Sequence, residues 1–248
     1  AKVCQDIILK AIATSSLSRN ITIKGGVVMR SKTRNIRRAT QDLDIDFIRL
    51  SLSNEAIDTF ISKLNCLDGI TLKRYGEIEE LKQQDYKGKR VFIQLRDDAG
   101  NMIVNKLDIG VYTHLNLEQE EYCFDIAFDE EGASVLINTN EQMFAEKLQS
   151  LLRLGTISTR YKDIFDMYYL SQHVDSYALC RCLDTCVFSD SRMRENNLQE
   201  ILARLEFTFQ NKNYLKRVDR AKTKWIDLEI DTVVEGIKSA LEKCKQIE

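Results

Sequence analysis

The chain has 248 residues, 44% of them hydrophobic and 30% charged, with a net charge of −2. That is enough apolar material for one large core or two small ones. No apolar run is long enough to span a bilayer, and the near-zero net charge excludes a polyanion binder held by bulk charge alone.

Seven cysteines and two histidines add further bounds. Cys180, Cys182 and Cys186 cluster at a spacing that fits no common zinc pattern. The cysteines therefore read as free thiols of a cytoplasmic protein. His114 and His173 are too few for a histidine-built metal site or triad. The chain opens on Ala1 and not on Met, as a segment of a longer chain would, and its first residues read as an amphipathic helix, not a signal peptide.

From there to about Thr139 the pattern alternates between strands and helices. "ITIKGG" is a short strand that ends on Gly25-Gly26 and opens a helix. "DLDIDFI" is a strand of strict period two. "NEAIDTFISKLN" is a helix starting at an Asn cap. "RVFIQLRD", "MIVNKLDIGV", "YCFDIAF" and "SVLINT" are further strands, with Gly69, Gly88, Gly100 and Gly132 in the breaks. Beyond Thr139 the texture is helical. "NEQMFAEKLQSLLRLG" has Asn140 as its cap and an apolar stripe of Phe144, Leu148, Leu151 and Leu152, stopping before Gly155. Helices follow near 159–172, 175–188, 195–209 and 229–247. The expected fold is α+β, with a mixed-sheet domain over 1–139 and a helical domain over 140–248.

The chemistry concentrates at a few places. On a strand, residues i and i+2 share a face, so Asp42, Asp44 and Asp46 line one side while Leu43, Ile45 and Phe47 face the core. Carboxylates about 7 Å apart repel one another. They are either acids on a solvated face or ligands of Mg²⁺, a hard ion suited to hard oxygens. Asp108 offers another carboxylate on a later strand, with Lys106 on the same face. The backbone at Gly25-Gly26 can approach a phosphate without a Cβ in the way. Lys147 sits at the border of its helix's apolar arc, where it either snorkels or serves a pocket. Asp163 and Asp166 share a helical face that is otherwise apolar and need partners, which Arg160, Lys162 or Lys147 can supply, as can a metal or a nucleotide. Arg30, Lys32, Arg34, Arg37 and Arg38 form an acid-free basic segment. A second basic stretch holds Lys212, Lys216, Arg217, Arg220, Lys222 and Lys224. Such runs are either solvated surface or phosphate-facing.

Taken in order, Gly-Gly, the basic segment, Arg-x-Thr-x-Asp-Leu-Asp, Lys-Leu-Asp, Ala-Glu-Lys-Leu and Lys-Asp-Ile-x-Asp-Met-Tyr resemble the AbiEii/AbiGii family of nucleotidyltransferase toxins, within the polymerase-β-like superfamily. The resemblance runs from about Lys24 to Tyr169. It implies a polymerase-β-like nucleotidyltransferase domain, a mixed sheet with flanking helices, followed by a helical domain. It implies phosphate cradling at Gly25 and Gly26, with Thr40 at the Ser/Thr position before the first metal aspartate. Asp42 and Asp44 become Mg²⁺ ligands, Asp46 a neighbour, and Asp108 a third carboxylate. Lys147 becomes the phosphate-contacting lysine, Asp163 the carboxylate of the helical half, and Asp166 a structural companion. The family's Gly-Gly-Thr-Ala-Leu opening reads Gly-Gly-Val-Val-Met here, which leaves the nucleotide preference open. The reaction implied is transfer of a nucleoside monophosphate from an NTP, with release of pyrophosphate. RNA, in particular the tRNA 3′ end, is the expected acceptor. The two basic stretches would face the RNA, and an antitoxin encoded nearby would be the partner. A protein or aminoglycoside-like acceptor is the alternative, as is a non-catalytic nucleotide- or partner-binding protein.

Overall fold

The computed structural model describes residues 2–81 and 88–244, and the chain divides into two compact units, Ala1–Asn138 and Thr139–Glu248. The first is built on a seven-stranded sheet. In chain order it contains α1 (Lys2–Thr14), β1 (Ile21–Lys24), α2 (Gly26–Thr33), β2 (Leu43–Phe47), α3 (Asn54–Lys63), β3 (Ile70–Leu81), β4 (Gly88–Asp97), β5 (Met102–Val111), β6 (Gln119–Ile126) and β7 (Asp129–Asn138). The strands lie in the order β3-β4-β5-β2-β1-β7-β6. β2 runs antiparallel to β1 and parallel to β5, and β1 runs parallel to β7.

The period-two pattern of β2 does what the sequence requires. Leu43, Ile45 and Phe47 are fully buried, each contributing about 1.5–3 kcal/mol. Phe47 meets Phe60 of α3 edge-on, with ring centroids 5.2 Å apart. The aspartates are thereby forced onto the other face. Val91, Ile93 and Leu95 of β4 and Leu107 and Ile109 of β5 repeat the alternation on the core side.

Several expectations need correction. β3 was not anticipated: of its residues only Leu72 is buried, so an edge strand with both faces wet carries no alternation to detect. Gly132 lies inside β7 and not in a break, whereas Gly88 is the first residue of β4. A Cβ on Gly132 would meet the Phe124 carbonyl oxygen at 2.6 Å, next to the register shift of β6 and β7, so that glycine marks a bulge. The cap of α3 is Ser53, one residue before the expected Asn.

The second unit contains α4 (Asn140–Leu154), α5 (Tyr161–Ser171), α6 (Ser176–Leu183), which runs on through a π-helical turn to Phe188, α7 (Leu198–Gln210), α8 (Lys212–Asp219) and α9 (Ile230–Cys244). Thr139, and not Asn140, caps α4, accepting from the Gln142 amide, and Gly155 closes the helix at φ 52°. α8 replaces what the sequence showed only as a basic run. It is eight residues long and held by the buried Tyr214 and Val218. The expected last helix ends at Cys244, and 245–247 lie outside the described residues. All seven cysteines are free, and burial pushes the Cys182 thiol up to about 12. Among the described residues no helix is long and apolar enough to cross a membrane.

Candidate active site

The sheet unit gathers its carboxylates through strand register. Asp44 of β2 lies directly beside Asp108 of β5 on one side and Lys24 of β1 on the other. Residues paired across strands share a face, so Asp44, Asp46, Asp108, Lys24 and Lys106 stand on one surface. Asp42, just before β2, continues it. Cations offset the mutual repulsion. Lys106 Nζ lies 2.6 Å from Asp42, and Lys24 Nζ lies 2.7 Å from Asp46. Arg90 forks onto both oxygens of Asp108 at 2.8 Å each, which raises the guanidinium pKa above its usual range. Asp46 is nearly buried.

The glycine pair adjoins this surface. Gly25 takes φ 69°, ψ −139°, a region open essentially to glycine alone. A Cβ there would fall 2.5 Å from Asp44 Oδ2, and one on Gly26 would fall 2.6 Å from Thr40 Oγ1. The absent side chains are what let the first turn of α2 come up against Asp44 and Thr40. The N-cap residue, Gly25, has no side chain with which to cap that turn, so its leading N–H groups open towards the same surface. Val27, Val28 and Met29 bury the rest of the helix face.

Sequence reasoning missed one contributor. Gln5, fully buried on α1, donates its Nε2 towards the carbonyl oxygens of Thr40 and Asp42, at 3.3 and 3.4 Å. It ties the backbone that carries the first aspartate. A glutamine among the apolar positions of "CQDIILKAIA" is the signal that could have revealed it.

The helical unit holds a second cluster. Lys147 of α4 reaches Asp163 and Asp166 of α5, with Nζ 2.6 Å from Asp163 Oδ1 and 2.9 Å from Asp166 Oδ2. The lysine side chain is 12% exposed, Asp163 20% and Asp166 0%. Of the candidate partners for these two acids, Lys147 serves both. Its ammonium does not snorkel to open solvent.

The basic segment divides. Arg34 and Arg37 are exposed, whereas Arg30 and Lys32 are half-buried. Lys32 pairs with Glu120 at 3.3 Å and lies over the Tyr122 ring. Arg38 is 4% exposed and faces the interior. On α8 and the residues after it, Lys212, Lys216, Arg217, Arg220 and Lys222 are exposed.

Among the described residues no preformed cluster of three or more acidic, histidine or cysteine side chains is shaped to hold a metal. Asp42 and Asp44 nonetheless fit Mg²⁺ in donor chemistry, being paired carboxylates of a half-exposed face. The space that a Gly25 Cβ would fill lies against the Asp44 oxygen.

A carboxylate-bearing central strand beside a glycine-opened helix is the arrangement of an enzyme that handles nucleotide phosphates. Residues 7–235 match the family model described as nucleotidyl transferase AbiEii toxin, type IV TA system. The chain belongs to this family of nucleotidyltransferases, the toxins of type IV toxin–antitoxin systems. Among solved structures, it is similar to an antigenic nucleotidyltransferase-like protein from Paracoccidioides brasiliensis, at 17% identity and a TM-score of 0.46, covering 86% of this chain and 92% of that one. It is also similar to the antibiotic-resistance factor ANT(2'')-Ia, at 14% identity and a TM-score of 0.45, covering 74% and 91%. No significant match was found among curated proteins.

Proposed function

We propose that the chain transfers a nucleoside monophosphate from an NTP to RNA, at the 3′ end of tRNA, in a Mg²⁺-dependent reaction that releases pyrophosphate. The observation that carries this reading is the close approach of the Asp44 carboxylate to the glycine-opened start of α2. A metal-binding acid and a set of phosphate-binding N–H groups are set side by side, as an NTP with its cation requires.

In this account Asp42 and Asp44 hold Mg²⁺, which would supply electrophilic stabilisation of charge on the α-phosphate. Gln5 keeps Asp42 in place through the backbone. Asp108 stands in register beside Asp44 as the third carboxylate, oriented by the Arg90 fork, which leaves a lone pair on each oxygen that would be open to an ion. The N–H groups following Gly25 and Gly26 receive phosphate oxygens, with the Thr40 hydroxyl next to them. Lys147 supplies an ammonium for the triphosphate. Asp163, the more exposed of its two acids, takes the proton of the acceptor hydroxyl. Arg34 and Arg37, together with the exposed basic side chains of 212–224, face the RNA. Family membership implies an antitoxin as partner.

The test is to incubate the protein with each α-labelled NTP and, separately, tRNA, a protein mixture or an aminoglycoside. The expected result is label on tRNA together with released pyrophosphate. Label confined to protein or drug would overturn the RNA acceptor, and no pyrophosphate release with any acceptor would overturn the whole reading.

A further inference from the structure

Asp166 is fully buried, 0% exposed, yet carries a carboxylate. One of its oxygens, Oδ2, receives the Lys147 ammonium at 2.9 Å. The other, Oδ1, accepts the indole N–H of Trp225 at 3.0 Å. Trp225 lies in the connection between α8 and α9, 59 residues further along the chain, and is 3% exposed. Its ring packs against Tyr169 of α5, centroids 6.2 Å apart, and Tyr169 in turn stacks on His173 at 4.4 Å.

We propose that Asp166 and Trp225 are positioning residues that hold Lys147 in place for the triphosphate, a role that rests on the reading of Lys147 given above. The reasoning is electrostatic. Lys147 meets both acids in a largely desolvated place, where each carboxylate needs its lone pairs filled. The indole fills one oxygen of Asp166 with a neutral donor. It orients the carboxylate without cancelling the charge that tethers Lys147, whereas a cationic donor there would compete for that charge. The two acids then have different duties. Asp166 is immobile, clamped between an ammonium and an indole that is itself wedged. Asp163, on the exposed side, can be exchanged for a phosphate oxygen while the ammonium keeps its anchor behind.

Trp225 is the chain's single tryptophan, so its indole N–H gives one resonance in a ¹⁵N–¹H spectrum of the full chain. The probes are the α,β-methylene analogues of the four NTPs with Mg²⁺. The expected result is a displaced indole resonance at saturation. Trp225→Phe, which keeps the ring and removes the N–H, should bind the analogue about tenfold more weakly. Asp166→Asn, which keeps an acceptor for the indole and loses the one for Lys147, should do the same. In turnover, KM for NTP should rise about tenfold while kcat stays within about threefold. A purely structural pair would lower the melting temperature and the folded fraction but leave the Kd and KM of the folded molecules unchanged, and that result overturns the proposal. So does an analogue that binds wild type, measured by calorimetry, without moving the indole resonance. That measurement needs no variant to fold. An analogue that does not bind wild type at all overturns the nucleotide reading and this inference together.

Discussion

The two clusters of charged residues are built in opposite ways. The acids of the sheet unit share one face that runs from Asp42, whose side chain is 40% exposed, to the nearly buried Asp46. They are placed by strand register, and Asp42, Asp46 and Asp108 each meet a side-chain cation. The Lys147 cluster of the helical unit is placed by helix packing and sits deep, with a fully buried carboxylate at its back. An acid at the more exposed end of that face, Asp42 or Asp44, can be lost cheaply, because water takes its place. A buried pair cannot lose one partner without stranding the other. Substitutions should therefore separate function from stability at Asp42 and Asp44 and combine them at Lys147 and Asp166.

The largest effect is expected at Asp44. Asp44→Asn should reduce pyrophosphate release by about 10³-fold, since a metal's contribution is several kcal/mol, with the melting temperature close to wild type. Lys147→Met should follow, with activity down about 10²-fold and stability down by about 3 kcal/mol in urea titrations, because Asp166 is left charged and buried. If Lys147→Met proved as stable as wild type, the contrast between the two clusters would fail. Gly25→Ala comes next. The positive φ and the clash with Asp44 should cost about 1–3 kcal/mol and lower activity about tenfold, an effect that Gly100→Ala, with open space around it, should not have on activity. Arg34→Ala with Arg37→Ala should weaken tRNA binding and flatten its salt dependence by about 1.4 in log–log slope, whereas Arg38→Ala should act through stability.

The smallest effect concerns pH. Asp190, after the π-helical turn, is held below the usual carboxylate range, chiefly by Arg192 and with help from Arg153 of α4. A depressed acid stabilises the fold above its ordinary titration range, and that stabilisation disappears as the pH falls through the folded-state value. Wild type should exceed Asp190→Asn by about 1 kcal/mol at pH 6, and the gap should narrow as the pH falls below the ordinary carboxylate range. A gap that did not change between neutral and strongly acidic pH would show that the pair does not titrate as described.

What was legible in the sequence follows from these constructions. The strict alternation of "DLDIDFI" fixes both β2 and the face of its acids, because a one-residue slip would put Leu43, Ile45 and Phe47 in water. The glycine pair, Asp108 and the i,i+3 pairing of Asp163 and Asp166 were readable for the same local reason. β3 was not, since an edge strand with one buried residue has no periodic signal. α8 was hidden because two apolar anchors in eight residues do not define a stripe. Gln5 and Trp225 could not be assigned, since their partners lie 37 and 59 residues away and only the tertiary fold brings them together. The cap positions moved by one residue at Ser53 and Thr139, where two adjacent polar residues each satisfy the capping chemistry.

The central claim is that carboxylates of the sheet unit and the lysine of the helical unit serve one reaction. A double-mutant cycle tests it most directly: pyrophosphate release by wild type, Asp44→Asn, Lys147→Met and the double variant, each measured well below its melting temperature. Groups acting on one transition state are strongly non-additive, so the double variant should be no slower than Asp44→Asn by more than about threefold. Losses that multiply in full, or a Lys147→Met protein that turns over at the wild-type rate, would contradict the account.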